Sequence, residues 1–506
     1  MGKKCLFVML LVCAASLHAQ DSVPPRKTIE LSGGRAADIP PGPFRDNWES
    51  IRENYEVPQW FVDGKFGIFI HWGVYTVPAA GSEWYPRHMY NGMRKYHTEH
   101  WGSPDKFGYK DFIPLFKAEK FNPEEWAALF REAGARYVIP TAEHHDGFAM
   151  YDSKLTRWDA KDMGPKRDII GELAMAVRAQ GMRFGVSNHR MENWDFMFPR
   201  SGEPSDLFDP EYADFYGPPQ RPDKSKASAM GPSAEEVMDG KDAPQSQAFL
   251  EEWLARCQEI IDKYEPDILW FDNGINSRTL DPVKLRLAAY YYNRAAEWNK
   301  KVTLSTKSDA YLFGTVTDFE RQGRAPKGLT SFYWQVDEPI GHKFGYVEGL
   351  KVQSSGQVIR KLVENISKNG NLCLNISPKS DGTIPDDQAK VLREVGRWMK
   401  VNGEAVYGTR AWMFPGEGPG IKEHKSACDW RFTQKDRHTL YAYLMRWKGG
   451  KVVINSFGTR NIGQVKAVSL LGCDTVLSFS QTEQGLELVL PGKNPIAGIS
   501  VVKVTL

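Results

Sequence analysis

The chain has 506 residues, enough for two or three domains. Its 41% hydrophobic and 25% charged residues suit a globular protein with a sizeable core. A formal net charge of only +2, with no long Lys/Arg block, argues against nucleic acid or an anionic membrane surface as partner. A neutral substrate fits this balance. The 16 Trp and 20 Tyr lean toward carbohydrate, whose apolar C–H faces stack on aromatic rings, although large α/β enzymes also bury Trp in their cores.

Residues 1–20 read as a secretory signal: Lys3 and Lys4 precede a short apolar run, and Leu17-His18-Ala19-Gln20 offers a small-residue cleavage site. The run is shorter than the roughly 20 residues a bilayer requires, and no later segment is long and apolar enough. The expected location is therefore secreted or periplasmic, without membrane insertion. Loss of the signal leaves Cys257, Cys373, Cys428 and Cys473, scattered and without a C-x-x-C pair. Neither a zinc site nor a disulfide framework is indicated, and the spacing does not say whether any disulfide forms.

Residues 21–46 form a Pro- and Gly-rich leader expected to lie over the surface. From 47 to 407, apolar strand-like runs alternate with amphipathic helical stretches. Strands are expected at 65–71, 136–140, 183–187, 267–271 and 302–305, with helices at 122–134, 168–180, 247–264, 282–299 and 386–402. Asn122, Pro123 and Gly134 punctuate the first helix as cap, first helical residue and stop. Such repeated β-then-α alternation predicts a parallel α/β barrel of TIM type, and no Gly-rich phosphate fingerprint follows any strand. The polar stretch 202–245 is too long for a plain connection and is expected to be a surface excursion. From 408 to 506, short alternating runs such as Leu440-Tyr441-Ala442-Tyr443-Leu444 predict a C-terminal antiparallel β-sandwich that props the barrel.

Functional side chains of a parallel barrel gather at the C-terminal ends of its strands. Here those ends carry His71-Trp72-Gly73, followed by Glu83-Trp84-Tyr85; then His144-His145-Asp146-Gly147-Phe148, Asn188-His189-Arg190 and Trp270-Phe271-Asp272-Asn273-Gly274. Each piece has a plainer reading. A lone His is often a hydrogen-bonded structural residue, Trp84 and Trp270 could be core, and Asp272 could cap a helix. The His144-His145 pair could suggest a metal, but no H-E-x-x-H or third ligand of suitable spacing accompanies it, so no metal and no cofactor are expected.

The runs Phe66-Gly67-Ile68-Phe69-Ile70-His71-Trp72-Gly73, Glu83-Trp84-Tyr85, His144-His145-Asp146-Gly147-Phe148, Leu269-Trp270-Phe271-Asp272 and Asn371-Leu372-Cys373-Leu374-Asn375-Ile376-Ser377-Pro378 resemble, in order and spacing, glycoside hydrolase family 29, the retaining α-L-fucosidases. The resemblance implies hydrolysis of terminal α-linked L-fucose from a fucosylated oligosaccharide or glycoconjugate. It implies Asp272 as nucleophile, with His71, Glu83, Trp84, His144, His145 and Trp270 binding the sugar; His189 lies where the family more often has an aromatic residue.

A retaining mechanism requires a second carboxyl group as acid/base. The family's glutamate follows a tryptophan ahead of a Phe/Trp-Gly-Tyr motif, and at that position, before Phe344-Gly345-Tyr346, this chain has Gln335. Gln cannot donate and recover a proton as a carboxylic acid does. Glu320 is the first candidate replacement, because Arg321 beside it can bind the sugar; Glu338 and Asp337 are the next. Two other readings stay open: a catalytically inactive fucose-binding protein, and a related retaining hydrolase of another L-galacto-configured sugar. Linkage, aglycone and oligomeric state are not set by the sequence.

Overall fold

The computed structural model describes residues 36–198, 203–216, 245–307, 310–418, 430–474 and 476–506. The expected signal peptide, the first part of the leader, most of the 202–245 stretch and Cys428 lie outside the described residues. Eight parallel strands close into a barrel in chain order. They are β1 (Phe66–Ile70), β2 (Tyr137–Glu143), β3 (Arg183–Asn188), β4 (Ile268–Phe271), β5 (Thr303–Lys307), β6 (Thr315–Asp318), β7 (Trp334–Pro339) and β8 (Gly370–Ile376). The ring closes where Phe66–Ile70 pair with Leu372–Ile376. Strand β2 runs past Pro140, which the sequence suggested as its end. The proline sits opposite Ile70, just below a register shift against β3, where a missing N–H is tolerated.

The six longest helices among the described residues pack outside: α1 (Pro123–Glu132), α2 (Ile169–Ala179), α3 (Gln247–Tyr264), α4 (Asp281–Glu297), α5 (Ser355–Ile366) and α6 (Asp386–Val406). Their starts follow from side-chain caps. Asn122, Asp168 and Ser246 accept from the backbone N–H of Glu125, Gly171 and Phe249, and Ser354 with Gln357 forms a reciprocal capping box. Among the described residues no α-helix lies between β5 and β6 or between β6 and β7; the second crossover has only a 3-10 turn at Gln322–Arg324. That side is covered instead from the N-terminal helix Trp48–Asn54, whose Ile51 packs so closely on Gly314 that a Cβ there would stand 2.3 Å from it, while Tyr55 just beyond hydrogen-bonds Thr303 at 2.6 Å.

Two apolar populations hold the barrel together. Outward residues such as Leu269, Phe271, Leu304 and Leu372 join the large core beneath the helices. Inward residues Phe69, Tyr137, Ile139, Ile268, Trp270, Val316 and Cys373 form a separate interior plug, with Phe61. The plug explains Gly67: a Cβ there would stand 2.1 Å from the Tyr137 ring, so only glycine lets the ring cross the barrel.

The leader is pinned as well as draped. Gln258 on α3 exchanges hydrogen bonds with both backbone groups of Ala37, and Asn293 on α4 grips Pro40 and Phe44. The described part of the long stretch, 203–216, corrects the expectation of a surface excursion. Leu207, Phe215 and Tyr216 are each 1% exposed, and Phe215 stacks on Trp158 with centroids 4.6 Å apart. Their apolar area outweighs the polar composition of the stretch. Cys257 and Cys373 are buried free thiols and Cys473 is a half-buried one.

From β9 (Arg410–Glu417) onward the chain forms a five-stranded and a three-stranded antiparallel sheet. Trp412, Phe432, Phe457, Leu486 and Leu488 pack between them. This domain is docked on the barrel by Tyr441, Tyr443, Met445, Ile499 and Val501, which join the barrel core, and by polar anchors. Arg431 donates to both oxygens of Glu364 on α5 at 2.9 and 2.7 Å, Trp398 on α6 donates to Ile499 O at 2.7 Å, and Thr433 and Tyr443 both donate to Ala405 O.

Candidate active site

Because successive strand residues face opposite ways, residues two apart share the barrel interior. On β4, Ile268 and Trp270 belong to the interior plug, and Asp272 is the next residue of that series. The same two-residue step leads from Phe69 to His71, from Ser187 to His189, from Ser305 to Lys307, from Asp318 to Glu320 and from Gln335 to Asp337. These residues meet at or beneath one pocket of about 220 Å³ at the C-terminal mouth of the barrel.

Asp272 sits at its floor, 9% exposed. Its Oδ1 lies 2.7 Å from Lys307 Nζ and accepts from Asn273 N at 2.8 Å; its Oδ2 lies 2.9 Å from His189 Nδ1 and 3.6 Å from His145 Nε2. Burial alone would push this carboxyl up. The Lys307 ammonium and the His189 hydrogen bond outweigh burial and hold it well below the usual carboxylate range. Lys307 is the converse case: burial pulls it down, but Asp272, Asp337 and Glu320 keep it well above the ordinary lysine value. Asp272 is an anion at neutral pH, and its loop does not begin a helix, so it is no N-cap.

The four histidines are neutral, because burial lowers each of them, His145 to about 3. A neutral His189 serves Asp272 as a donor when its proton is on Nδ1, which leaves Nε2 to accept from Ser187 Oγ at 3.0 Å. His71 Nδ1 donates to Asn375 Oδ1 at 2.7 Å and so keeps Nε2 as an acceptor. His144 lines the pocket with a buried Nδ1 that has no partner among the described residues. Such an atom is costly unless a ligand hydroxyl completes it.

Glu83 and Trp84 form the facing wall. Glu83 Oε2 accepts from Gly345 N at 3.0 Å, tying its loop to the β7–β8 loop, and burial raises its carboxyl above the usual range. Trp84 is half-buried, 5.7 Å from the His145 ring and 5.3 Å from Phe196. Opposite stands Glu320, whose Oε2 is 3.1 Å from Lys307 Nζ and 3.2 Å from Arg324 Nη1. Lys307 therefore bridges the two carboxylates. Distances of 2.7 and 3.1 Å to one nitrogen sum to 5.8 Å and cap the separation of the bridged oxygens at that value. Arg321 follows in a left-handed backbone state, φ +62° and ψ 145°, a region unfavourable for side chains other than glycine. Its N–H donates to Asp337 O at 3.0 Å and its guanidinium lies 4.9 Å from the Phe344 ring centre.

Most sequence-derived site residues converge here: His71, Glu83, Trp84, His144, Asp272, Glu320, Arg321 and Asp337 all line the pocket. His145 and His189 stand behind the wall and reach the site through Asp272. Trp270 is a correction. It is fully buried in the plug, donates to Asp318 Oδ2 at 2.8 Å, and supports the floor without lining it.

Glu338 is a second correction. It is on the outward face of β7, 2.5 Å from Lys361 on α5, and accepts from Gln322 N at 2.6 Å. Gln335 points inward but lies below the mouth, hydrogen-bonded to Tyr137, Ser305 and Asp318. From this position even a carboxylate would not line the pocket, so the glutamate that the resemblance led one to expect at 335 is not missing from it. Lys307, His88, Lys343 and Phe344 line the pocket too and were missed as site residues. Lys307 was reachable by extending the fifth strand two residues and applying the strand-end rule.

His71, His144 and His189 present ring nitrogens within 4.8 Å of one another, as do His145, His189 and a carboxylate oxygen of Asp272. Both nitrogens of His189 are already engaged, so an ion would have to displace Asp272 or Ser187. The donor set is wired for hydrogen bonding.

An anionic carboxylate and a second carboxylate sharing one lysine at a barrel mouth are the equipment of a glycosidase, and comparison with known proteins agrees. Residues 35–404 match the alpha-L-fucosidase family model, and residues 424–504 match that of the alpha-L-fucosidase C-terminal domain. The chain belongs to the α-L-fucosidase family, a family of glycoside hydrolases. It is 28% identical to the tissue alpha-L-fucosidase of Rattus norvegicus over 489 residues, 94% of this chain and 95% of the rat protein. It is 30% identical to the plasma alpha-L-fucosidase of the same species over 468 residues, 88% of this chain and 90% of that one. The Thermotoga maritima alpha-fucosidase, solved in complex with fucose, superposes with a TM-score of 0.71 at 30% identity, covering 91% of this chain and all of that one. The fold expected of the family, a closed eight-stranded barrel followed by a C-terminal β-domain, is the fold observed.

Proposed function

We propose that the protein hydrolyses terminal α-linked L-fucose with retention of configuration, using Asp272 as nucleophile and Glu320 as acid/base. The observation that carries this reading is the lysine bridge, which caps the carboxylate oxygens at 5.8 Å. Retaining enzymes hold their two carboxyl groups about 5–5.5 Å apart, close enough for one to attack the anomeric carbon while the other serves the leaving oxygen.

In the first step Asp272 Oδ attacks, the glycosidic bond breaks, and Glu320 passes its proton to the departing oxygen. Asp272 becomes a neutral ester as Glu320 becomes an anion. The negative charge thus moves from one partner of Lys307 to the other, and the ammonium is never left facing a neutral pair. In the second step Glu320 takes a proton from water, the hydroxide attacks the ester, and Asp272 is restored. His71 and His144 offer ring nitrogens to the sugar hydroxyls, and Trp84 an apolar face.

The test is hydrolysis of an aryl α-L-fucoside with NMR of the first product. Retention gives α-L-fucose first, and Asp272→Ala abolishes turnover. Initial release of β-L-fucose would remove the covalent route. Binding without turnover would make the protein a fucose-binding pseudoenzyme, and a panel varying the C5 substituent tests other L-galacto sugars. Secretion or periplasmic export is proposed on residues 1–20 alone; a cleaved N-terminus near Gln20 in the exported protein tests it.

A further inference from the structure

The pocket mouth is cationic on one side, and its acids do not neutralise that side. Asp272 and Glu320 share Lys307, Glu320 also holds Arg324, and Glu83 is occupied by Gly345 N–H. By contrast Lys343, which lines the same pocket, forms no ion pair among the described residues. Arg321 approaches Glu320 only to 3.9 Å and keeps 42% of its side chain exposed. Arg321 is braced on Phe344, which is 6% exposed between that guanidinium and the His71 ring, and Lys343 precedes Phe344 in the chain. Both also act on Glu83, where burial raises the carboxyl and these two charges oppose that rise, so they converge on one sector of the rim.

That sector adjoins Glu320, the group assigned to the departing oxygen. The group joined to the fucose is therefore expected on the side of Arg321 and Lys343, which line the same pocket as Glu320. Two cations on one sector of the rim, one of them braced on a buried ring, suit a sugar that carries negative charge at its edge.

We propose that the residue attached to fucose in the natural substrate carries an anionic group, a sulfate ester or a carboxylate, held by Arg321 and Lys343 at the pocket rim. This deepens the α-L-fucosidase reading and rests on it.

The experiment compares kcat/KM for fucosyl-galactose, its 6-O-sulfate and a fucosyl-glucuronic acid of the same linkage, with a neutral aryl α-L-fucoside as reference. Rim charge pairs are individually weak, so two together should give the anionic disaccharides an advantage of about tenfold at low salt. That advantage should shrink severalfold at 0.5 M salt, where screening is short-ranged. Lys343→Met should cut the anionic-to-neutral ratio about threefold. The better of the two anions identifies the source of the charge.

A ratio near one at low salt, or a ratio that Lys343→Met leaves unchanged, overturns the proposal. Faster hydrolysis of an aryl fucoside sulfated on the fucose itself also overturns it, because the anion would then be on the wrong sugar. Calorimetry of the same disaccharides on Asp272→Ala reads the preference without turnover. An inactive protein that still prefers the anionic disaccharides would sink the catalytic reading and keep this one.

Discussion

Lys307 concentrates the chemistry of the site in one residue, because its ammonium is the common neighbour of Asp272, Glu320 and, electrostatically, Asp337. Lys307→Met should lower kcat/KM by about a hundredfold, the usual cost of losing a preorganised group in a water-poor site. The sign of the pH effect follows from burial. With the ammonium gone, desolvation dominates Asp272, its pKa rises, and the acid limb of the kcat/KM profile moves to higher pH. Lys307→Arg, which keeps the charge, should leave the limb in place; equal shifts in both variants would show that packing is responsible instead. The two glutamates separate on leaving-group dependence. Glu320→Gln should slow alkyl or sugar leaving groups by about a thousandfold and spare a dinitrophenyl fucoside. Glu338→Gln should leave both rates near wild type and lower the melting temperature, because Lys361 loses its charged partner and keeps only Gln353. The reverse pattern would exchange their roles.

Among the elements, the end of β3 is held by a buried charge network. Arg190, next to His189, donates to Glu143 and Glu252 at 2.9 Å each, and Arg256 on α3 reaches the same two acids. Burial would raise Glu252, but Arg190 and Arg256 overcome it and bring the carboxyl from 4.5 to about 2. A depressed acid contributes stability above its unfolded value and loses it as pH falls through the folded one. The gap in melting temperature between wild type and Glu252→Gln should therefore be widest at neutral pH and close as pH falls from 4.5 toward 2. A gap that persists at acid pH would mean the glutamate acts through packing.

The elements also show what a sequence reveals. The first five strands and most helices were legible because apolar runs and caps such as Asn122 and Ser246 are local signals. Strands β6 and β7 were not legible: Thr315–Asp318 is only four residues long, and β7 carries Gln335, Asp337 and Glu338. Those polar residues are affordable because the first two face a hydrogen-bonded interior and the third meets Lys361, contacts that no periodicity records. The same gap misplaced Glu338, since choosing between it and Glu320 requires knowing which face of β7 looks inward. Trp270 failed in the opposite direction, because a tryptophan beside a nucleophile reads as pocket until its depth is known.

At the scale of the molecule, the C-terminal sheets brace α5 and α6, and among the described residues the pocket lining ends at Phe344. Arg431 and Glu364 are both nearly buried, at 5% and 9% side-chain exposure, so Arg431→Met would leave an acid with only Lys368 at 3.4 Å. The expected cost is about 3 kcal/mol, read as an earlier unfolding transition, with KM for an aryl fucoside unchanged in the folded fraction. A raised KM at unchanged stability would instead connect the sheets to the site. The distribution of helices around the barrel has a consequence for how such a protein diversifies. The histidine half of the mouth is backed by helices and a charge lattice, so a substitution there disturbs the scaffold. The half bearing Glu320 and Arg321 has no crossover helix of its own among the described residues and is tied to α5 only by Gln322–Asn365 and Glu338–Lys361, so loop exchanges there can redraw the range of acceptable aglycones while recognition of the fucose itself is inherited intact.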